Sequence, residues 1–187
     1  HAMCDLDRGV LDKAVEILVK NQPDRVDVPE ERRFDTFQGY KRVIEECDVV
    51  ILATSPGFRP QHFEEAVAQG KHVFMEKPVT ADGYGTKQIL EINKMAKQKN
   101  LKVGVGLMCR HSRARGAMAD KIQEGAVGDV VLMRSYRMHG PVASARSIPQ
   151  KLRNEYKDLE EIRWQIRRFH SFIWASGGCF NDYYIHN

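Results

Sequence analysis

The sequence of 187 residues has few of the features that mark membrane, zinc-binding or nucleic-acid-binding proteins. No apolar run reaches the ~18 residues that a membrane span needs. Its 4 cysteines are scattered without a CxxC spacing, which argues against a structural zinc site and against a dense disulfide framework. The net charge is only +4, and no nucleic-acid-binding module is recognisable. We therefore expect no membrane, nucleic-acid or metal partner and a reducing, cytoplasmic compartment, with an export signal before the first residue left open.

What the sequence does contain is a core-forming composition with one local basic cluster. Apolar residues make up 42% of the chain, enough for a packed interior. The basic cluster comprises Arg163, Arg167 and Arg168, and Trp164 and Ile166 interrupt it. The spacing favours a solvated helix face over an anion-binding site.

Strand-like and helix-like segments alternate from the first residue to about Gly125. The apolar run from Asp48 to Thr54 is typical of a strand covered on both faces, as in parallel sheets. Further strands are predicted before Asp5 and at 33–37, 71–75 and 101–107, and helices at 40–46, 60–69, 82–99 and 113–124. An earlier helix is predicted to bury Val10, Ala14, Ile17 and Leu18, and the helix at 82–99 to bury Ile89, Leu90, Ile92, Met95 and Ala96. This alternation predicts an α/β fold with a Rossmann-like, doubly wound parallel sheet.

The pattern changes after Gly128. A strand is predicted at Val130–His139, followed by a polar linker to about Lys157 and a helical, aromatic-rich stretch at 158–175. We predict a domain boundary near Gly125–Asp129.

Ligands of open α/β sheets bind outside the carboxyl ends of the strands, where three segments carry suggestive residues. Asp5 could accept hydrogen bonds from a ribose, although an acid here also suits a helix N-cap, a role that Asp7 could take. The turn at Thr54-Ser55-Pro56 would let a dinucleotide approach closely, or it is an ordinary turn. Lys77, in Glu76-Lys77-Pro78, directly follows a strand and should point into the cleft.

Two glycine-containing segments have different interpretations. Gly104-Val-Gly106 resembles part of a GxGxxG loop but leads to Cys109 and not to a glycine that opens a helix. A true glycine loop would have to precede His1. Near the other end, Gly177-Gly178 could open a helix on which Asp182 and His186, four residues apart, share one face. The carboxylate would then support a histidine that accepts a proton, or the two form a structural surface pair.

Together these residues resemble the glucose–fructose oxidoreductase / inositol dehydrogenase family (Gfo/Idh/MocA), over nearly the whole chain. The most specific block is Gly70–Pro78, in register with Cys4–Asp7, Ala53–Pro56, Glu124–Val130 and the Gly177-Gly178…Asp182…His186 pattern. The resemblance implies an NAD(P)-dependent dehydrogenase acting on CH-OH groups of a sugar, a cyclitol or a related polyol. It implies a dinucleotide-binding domain at 1–125 and, at 126–187, the beginning of an α/β C-terminal domain with a large open sheet, for substrate binding and oligomerisation. It also implies a homodimer or homotetramer at full length.

The resemblance assigns roles to individual residues. Lys77, Asp182 and His186 are implied as the catalytic set, with His186 as general base and Asp182 as its partner. Asp5 would bind the ribose and favour NAD over NADP. The remaining implied cofactor contacts are Thr54, Pro56, Arg59, Glu76, Lys77 and Arg110, of which Arg110 would line the nicotinamide and substrate pocket.

Two departures and two rival functions accompany the resemblance. Arg59 stands where the family often has a histidine, so that contact is expected to reach a phosphate instead. The chain is expected to be truncated at both ends, because a central strand with its glycine loop would be absent. Either the missing segments belong to the molecule, or the 187 residues alone bind NAD poorly and aggregate, since two apolar sheet edges are left unpaired. Rival functions are an NAD-assisted glycoside hydrolase of the same superfamily and a non-catalytic sugar- or cofactor-sensing protein.

Overall fold

The structure is a computed structural model and describes residues 1–138, 140, 154 and 160–186. Its strands are β1 Met3–Cys4, β2 Arg33–Phe34, β3 Val49–Leu52, β4 His72–Met75 and β5 Val103–Val105. Its helices are α1 Arg8–Asn21, α2 Gly39–Glu46, α3 Arg59–Ala68, α4 Gly83–Gln98, α5 Arg113–Gln123, α6 Glu161–Arg167, α7 Ile173–Ser176 and α8 Gly178–Tyr184.

Every strand pair of the described residues is parallel. β1 pairs with β2, while β3, β4 and β5 form a second sheet in that order. Val50 lies opposite Val73, and Met75 lies opposite Val105. Since parallel neighbours require crossover connections, the helices fall between successive strands. The predicted Rossmann-like parallel fold is confirmed.

The core lies between the second sheet and helices α2, α3 and α4. Alternate residues of the strands point inward, and α3 contributes side chains with almost no solvent exposure, among them Phe63 and Ala66. Ile92 and Ala96 of α4 are buried as expected, but Leu90 and Met95 are exposed. The buried cluster comprises Tyr40, Ile44, Val50, Leu52, Phe63, Ala66, Val67, Val73, Met75, Ile92 and Ala96.

The opposite face of β3 is open, contrary to the prediction of a strand covered on both sides. Val50 and Leu52 are buried, but Val49 and Ile51 are 58% and 70% exposed. The cause is that α2, α3 and α4 all lie on one face of this sheet, so only alternate residues of β3 are covered.

A cavity of about 1490 Å³ separates the two sheets. It exceeds the roughly 300–1,000 Å³ of ordinary ligand pockets, and the edges of β1 and β3 that flank it are not paired with each other.

The same cavity explains why the prediction of the buried face of α1 is wrong. This helix buries Leu11 and Val15, whereas Val10, Ile17 and Leu18 are exposed, so the predicted inward face is wrong. Val10, Ala14 and Leu18 line the cavity.

The C-terminal part departs further from the predictions. Residues 130–138 form no strand and are exposed, because no described segment pairs with them, and Val131 is 93% exposed. His139 and most of the predicted linker lie outside the described residues. The predicted helical stretch at 158–175 contains α6, a 3₁₀ turn at Phe169–Ser171 and most of α7, while residues 158 and 159 fall outside the description.

The basic cluster of α6 is not a solvated face. Arg163 donates to the carbonyl oxygen of Leu6 at 2.5 Å, and Arg167 pairs with the carboxylate of Asp7. Arg168 is buried. These contacts hold α6 against the carboxyl end of β1, because guanidinium groups pair readily with carbonyls and carboxylates.

Candidate functional site

Lys77 lies immediately beyond β4, at the carboxyl edge of the second sheet. Its Nζ donates to the carboxylate Oδ1 of Asp182 at 3.0 Å and to the backbone oxygen of Asp182 at 2.7 Å. The Lys77 side chain is 15% exposed and that of Asp182 is 7% exposed. A small cleft of about 190 Å³ opens here, lined by Ala53, Thr54, Pro56, Arg59, Glu76, Lys77, Phe169, His170 and Asp182.

The local chain geometry places Asp182 opposite Lys77. α8 begins after Gly177, whose φ of +76° is in the left-handed region that glycine adopts without strain. A side chain at Gly177 would also come within 2.6 Å of the carbonyl oxygen of Ala81. Asn181 then donates to the carbonyl oxygen of Thr80 at 2.7 Å. α8 is thereby attached to the segment that follows Lys77.

His170, which the sequence did not single out, is the second partner of the Asp182 carboxylate. Its Nε2 lies 3.3 Å from Oδ2, the oxygen that Lys77 does not use. The ring packs on Phe169 with centroids 3.9 Å apart. No spacing rule predicts this pair, because His170 belongs to a 3₁₀ turn and approaches Asp182 only through the packing of α7 and α8.

His186 is not where the i,i+4 hypothesis places it. α8 ends at Tyr184, so His186 follows the helix and does not share its face with Asp182. The Nδ1 atom of His186 is buried without a hydrogen-bond partner among the described residues. Burial lowers the pKa of His186, as do the charges of Lys77 and Arg137, while Asp182 opposes the shift. The predicted Asp182–His186 pairing on one helix face is therefore wrong, but His186 remains in the electrostatic neighbourhood of the site.

Arg59 has a different role from the expected phosphate contact. Its guanidinium donates to three backbone oxygens, those of Thr54, Pro78 and Glu76, the last at 2.6 Å. The side chain is buried, which lowers its pKa to about 10. Since the NH1 and NH2 groups are used by carbonyls, Arg59 joins the ends of β3 and β4 instead of reaching outward.

Thr54 and His62 form a polar pair behind the cleft, in which His62 is buried and Thr54 is partly buried. The Thr54 hydroxyl and His62 Nδ1 lie 3.2 Å apart, and the His62 ring stacks on Tyr40 with centroids 4.1 Å apart. Burial lowers the pKa of His62 to about 4, and the charge of Arg59 acts in the same direction. His62 is therefore a neutral core residue at physiological pH.

This shift predicts a pH-dependent stability. An unfolded histidine has a pKa near 6.5, so between pH 6.5 and 4 the unfolded chain binds the extra proton. The contribution of His62 is complete above pH 6.5 and falls by roughly 3 kcal/mol as the pH drops through that window. We expect His62→Phe to lose less stability than wild type between pH 7 and 4.5 in urea unfolding. An identical loss in both proteins would contradict this, and His111→Phe, in an exposed turn, is the control.

The first predicted cofactor residue, Asp5, lies at the end of β1 and borders the large cavity. One carboxylate oxygen accepts from the backbone N–H of Asp7 at 2.8 Å, and burial raises the pKa of Asp5. Asp7 caps α1 by accepting from the N–H of Val10, as the alternative interpretation proposed.

Glu76 and Arg110 complete the predicted set. Glu76 lines the cleft, and its carboxylate lies over Gly106, where a Cβ would come within 2.6 Å of it. Gly106 is therefore a packing glycine and not part of a phosphate loop. Arg110 is exposed in the turn after β5 and is not among the residues that line the cleft.

The described residues contain neither a metal-binding cluster nor a membrane-spanning helix. Within residues 1–138, 140, 154 and 160–186, no group of three or more His, Cys, Asp or Glu side chains is arranged to hold a metal ion. Over the same ranges, none of the helices combines the length and apolarity that crossing a membrane requires.

Comparison with known proteins gives consistent matches. Residues 2–107 match the family described as an oxidoreductase family with an NAD-binding Rossmann fold. The chain is 32% identical over 95 residues to a dTDP-3,4-didehydro-2,6-dideoxy-alpha-D-glucose 3-reductase of Streptomyces violaceoruber, covering 50% of this chain and 27% of that protein. It is 28% identical over 129 residues to inositol 2-dehydrogenase of Serratia proteamaculans, covering 66% of this chain and 37% of that protein.

A solved structure agrees with the sequence matches. The scyllo-inositol dehydrogenase of Lactobacillus casei with bound NAD(H) and scyllo-inositol superposes with a TM-score of 0.53 at 25% identity, covering 69% of this chain and 34% of that one. The chain thus spans between about a quarter and somewhat over a third of the relatives it matches.

Proposed function

Since the chain belongs to the oxidoreductase family with an NAD-binding Rossmann fold, we propose that the natural protein is an NAD-dependent dehydrogenase of polyols. It transfers a hydride between nicotinamide and a hydroxyl-bearing carbon of a sugar, a cyclitol or a related compound. One observation carries the proposal: an ammonium group held by a buried carboxylate at the carboxyl end of a parallel strand, Lys77 on Asp182 at 3.0 Å.

The described residues fit an NAD site at the strand ends. Asp5, Thr54 and Lys77 follow three different parallel strands, and Asp5 and Thr54 border the same large cavity. Asp5 would bind the adenosine ribose, while Thr54 and Pro56, in the turn after β3, would contact the dinucleotide. Glu76 and Lys77 would border the nicotinamide. NAD, when bound, supplies the hydride acceptor.

The side chains of the cleft supply orientation and proton transfer. Lys77 donates a hydrogen bond to the reacting oxygen and stabilises the negative charge that develops there as the hydroxyl proton leaves, before the hydride departs from the carbon. Asp182 fixes the position of the Lys77 ammonium through both its carboxylate and its backbone oxygen. His186, with its lowered pKa, is neutral at physiological pH and is the proposed acceptor of the hydroxyl proton.

The proposed function is tested by offering the natural full-length protein a panel of sugars and cyclitols with NAD and following NADH formation. Turnover of at least one polyol, absent for the corresponding deoxy compound, is expected. Cleavage of an aryl glycoside without net NADH would replace the proposal with the glycosidase alternative. Failure of every polyol with NAD and with NADP would overturn it.

Cofactor choice gives a more specific prediction at Asp5. Its negative charge disfavours the 2′-phosphate of NADP, and two cationic side chains, Arg163 and Arg167, border the same cavity. We expect Asp5→Ser to shift the NAD/NADP ratio of kcat/KM toward NADP by on the order of tenfold, about 1.4 kcal/mol. Asp120→Ser, on the exposed surface of α5 and outside both the cavity and the cleft, should leave the ratio unchanged. An equal ratio for Asp5→Ser and wild type would assign the preference to another residue.

A further inference from the structure

The Asp182 carboxylate has a different partner on each oxygen. Oδ1 accepts from the Lys77 ammonium at 3.0 Å, and Oδ2 lies 3.3 Å from His170 Nε2. Asp182 is buried, so among the described residues these two contacts orient its carboxylate. A carboxylate held at one oxygen can still rotate about its bond to Cβ, whereas one held at both cannot do so without breaking a contact.

The surroundings of His170 favour its neutral form. Two charged groups face the ring: Asp182 on α8 and Lys77 after β4. Burial lowers the pKa of His170, the charge of Lys77 lowers it further, and Asp182 opposes both. The neutral imidazole contributes a single N–H, which must reside on Nε2 to donate to Oδ2.

We propose that His170 is a positioning residue of the dehydrogenase site: by donating from Nε2 to Oδ2 it fixes the Asp182 carboxylate, which in turn places the Lys77 ammonium at the reacting oxygen. The inference rests on the proposed function and adds to it a residue outside the Lys77, Asp182 and His186 set. His170 lines the same cleft as Lys77, with its ring packed on Phe169. It takes up no proton in the reaction.

Two substitutions of His170 distinguish hydrogen-bond donation to Asp182 from proton transfer and from packing. His170→Gln places an amide N–H near the position of Nε2, but this amide cannot titrate. His170→Leu removes the donor and puts an apolar side chain in its place. We expect His170→Leu to lower kcat by roughly 10- to 100-fold with little change in KM, because a displaced ammonium stabilises the reacting oxygen poorly. His170→Gln should retain kcat within about threefold of wild type. His111→Gln and His111→Leu, in the turn after β5, are the matched controls.

A second measurement is independent of turnover. Reductive methylation of the natural full-length protein, followed by peptide mass spectrometry, reports how strongly the Lys77 amine is protected. We expect Lys77 to be modified faster in His170→Leu than in wild type, and at the wild-type rate in His170→Gln. Other lysines, such as Lys94 on the exposed face of α4, should react equally in all three proteins.

The outcomes distinguish the inference from the function it rests on. Unchanged kcat and unchanged Lys77 protection in His170→Leu would overturn the positioning role. Equal loss of kcat in the Gln and Leu variants would also overturn it, because it would assign His170 a proton-transfer role. If no polyol yields NADH but the labelling pattern is as expected, the proposed function fails and the contact from His170 to Lys77 through Asp182 stands.

Discussion

Replacing Lys77 by alanine is expected to lower kcat of the natural full-length protein by on the order of 10²–10⁴-fold. The affinity for NAD should change by less than about threefold, because Lys77 faces the small cleft and does not border the cavity near Asp5. The physical reason is that the ammonium acts on charge that develops only during the reaction. Steady-state kinetics and calorimetric titration with NAD measure the two effects separately.

The control for Lys77 is another lysine of the same strand region. Lys71 precedes β4 at its amino end and donates to the carbonyl oxygen of Glu45, so Lys71→Ala should leave kcat near wild type. Added methylamine should restore part of the turnover of Lys77→Ala, since the amine can occupy the space left beside Asp182. Near-wild-type turnover in Lys77→Ala would show that Lys77 has a structural role and no catalytic one.

The second large effect concerns stability. Arg59→Leu is expected to lower the free energy of unfolding by about 3–5 kcal/mol. It removes a buried guanidinium whose donors satisfy the carbonyl oxygens of Thr54, Glu76 and Pro78. Those oxygens would lose their partner at the ends of two neighbouring strands. Because Glu76 and Pro78 flank Lys77, kcat should fall as well. Urea unfolding and steady-state kinetics test the two consequences.

Arg42 provides the matched comparison for Arg59. It lies on the exposed surface of α2 and pairs with Glu45 at 2.8 Å, and exposed pairs contribute little. Arg42→Leu should change the free energy of unfolding by less than about 0.5 kcal/mol. If Arg59→Leu were equally mild, the three carbonyl contacts would not hold the strand ends together.

The sequence predicted those parts of the site that local rules determine. Lys77 follows a strand of four residues, and strand ends meet at one edge of a parallel sheet, so its placement beside the cleft was predictable. Asp182 follows a glycine pair that opens a helix, which also can be recognised locally.

Tertiary contacts decided what the sequence could not predict. Nothing in the spacing indicated that α8 stops at Tyr184, which separates His186 from Asp182, or that a turn brings His170 to that carboxylate. Arg59 was predicted to contact a phosphate because guanidinium groups bind phosphates well. The side chain is buried, however, and donates to backbone carbonyl oxygens instead. The face of α1 was misjudged because periodicity tells which residues share a side and not which side is covered.

The contact between Lys77 and Asp182 also has a kinetic consequence. It joins residues 105 positions apart in the chain. Closing a loop of that length costs roughly 4 kcal/mol of chain entropy, and this cost precedes the stabilisation that the contact provides. Such a contact forms after the local helices and after neighbouring strands have paired. Substitutions at Asp182 should therefore accelerate unfolding more than they slow folding. The residue pair on which turnover depends would then also govern how long each folded molecule persists.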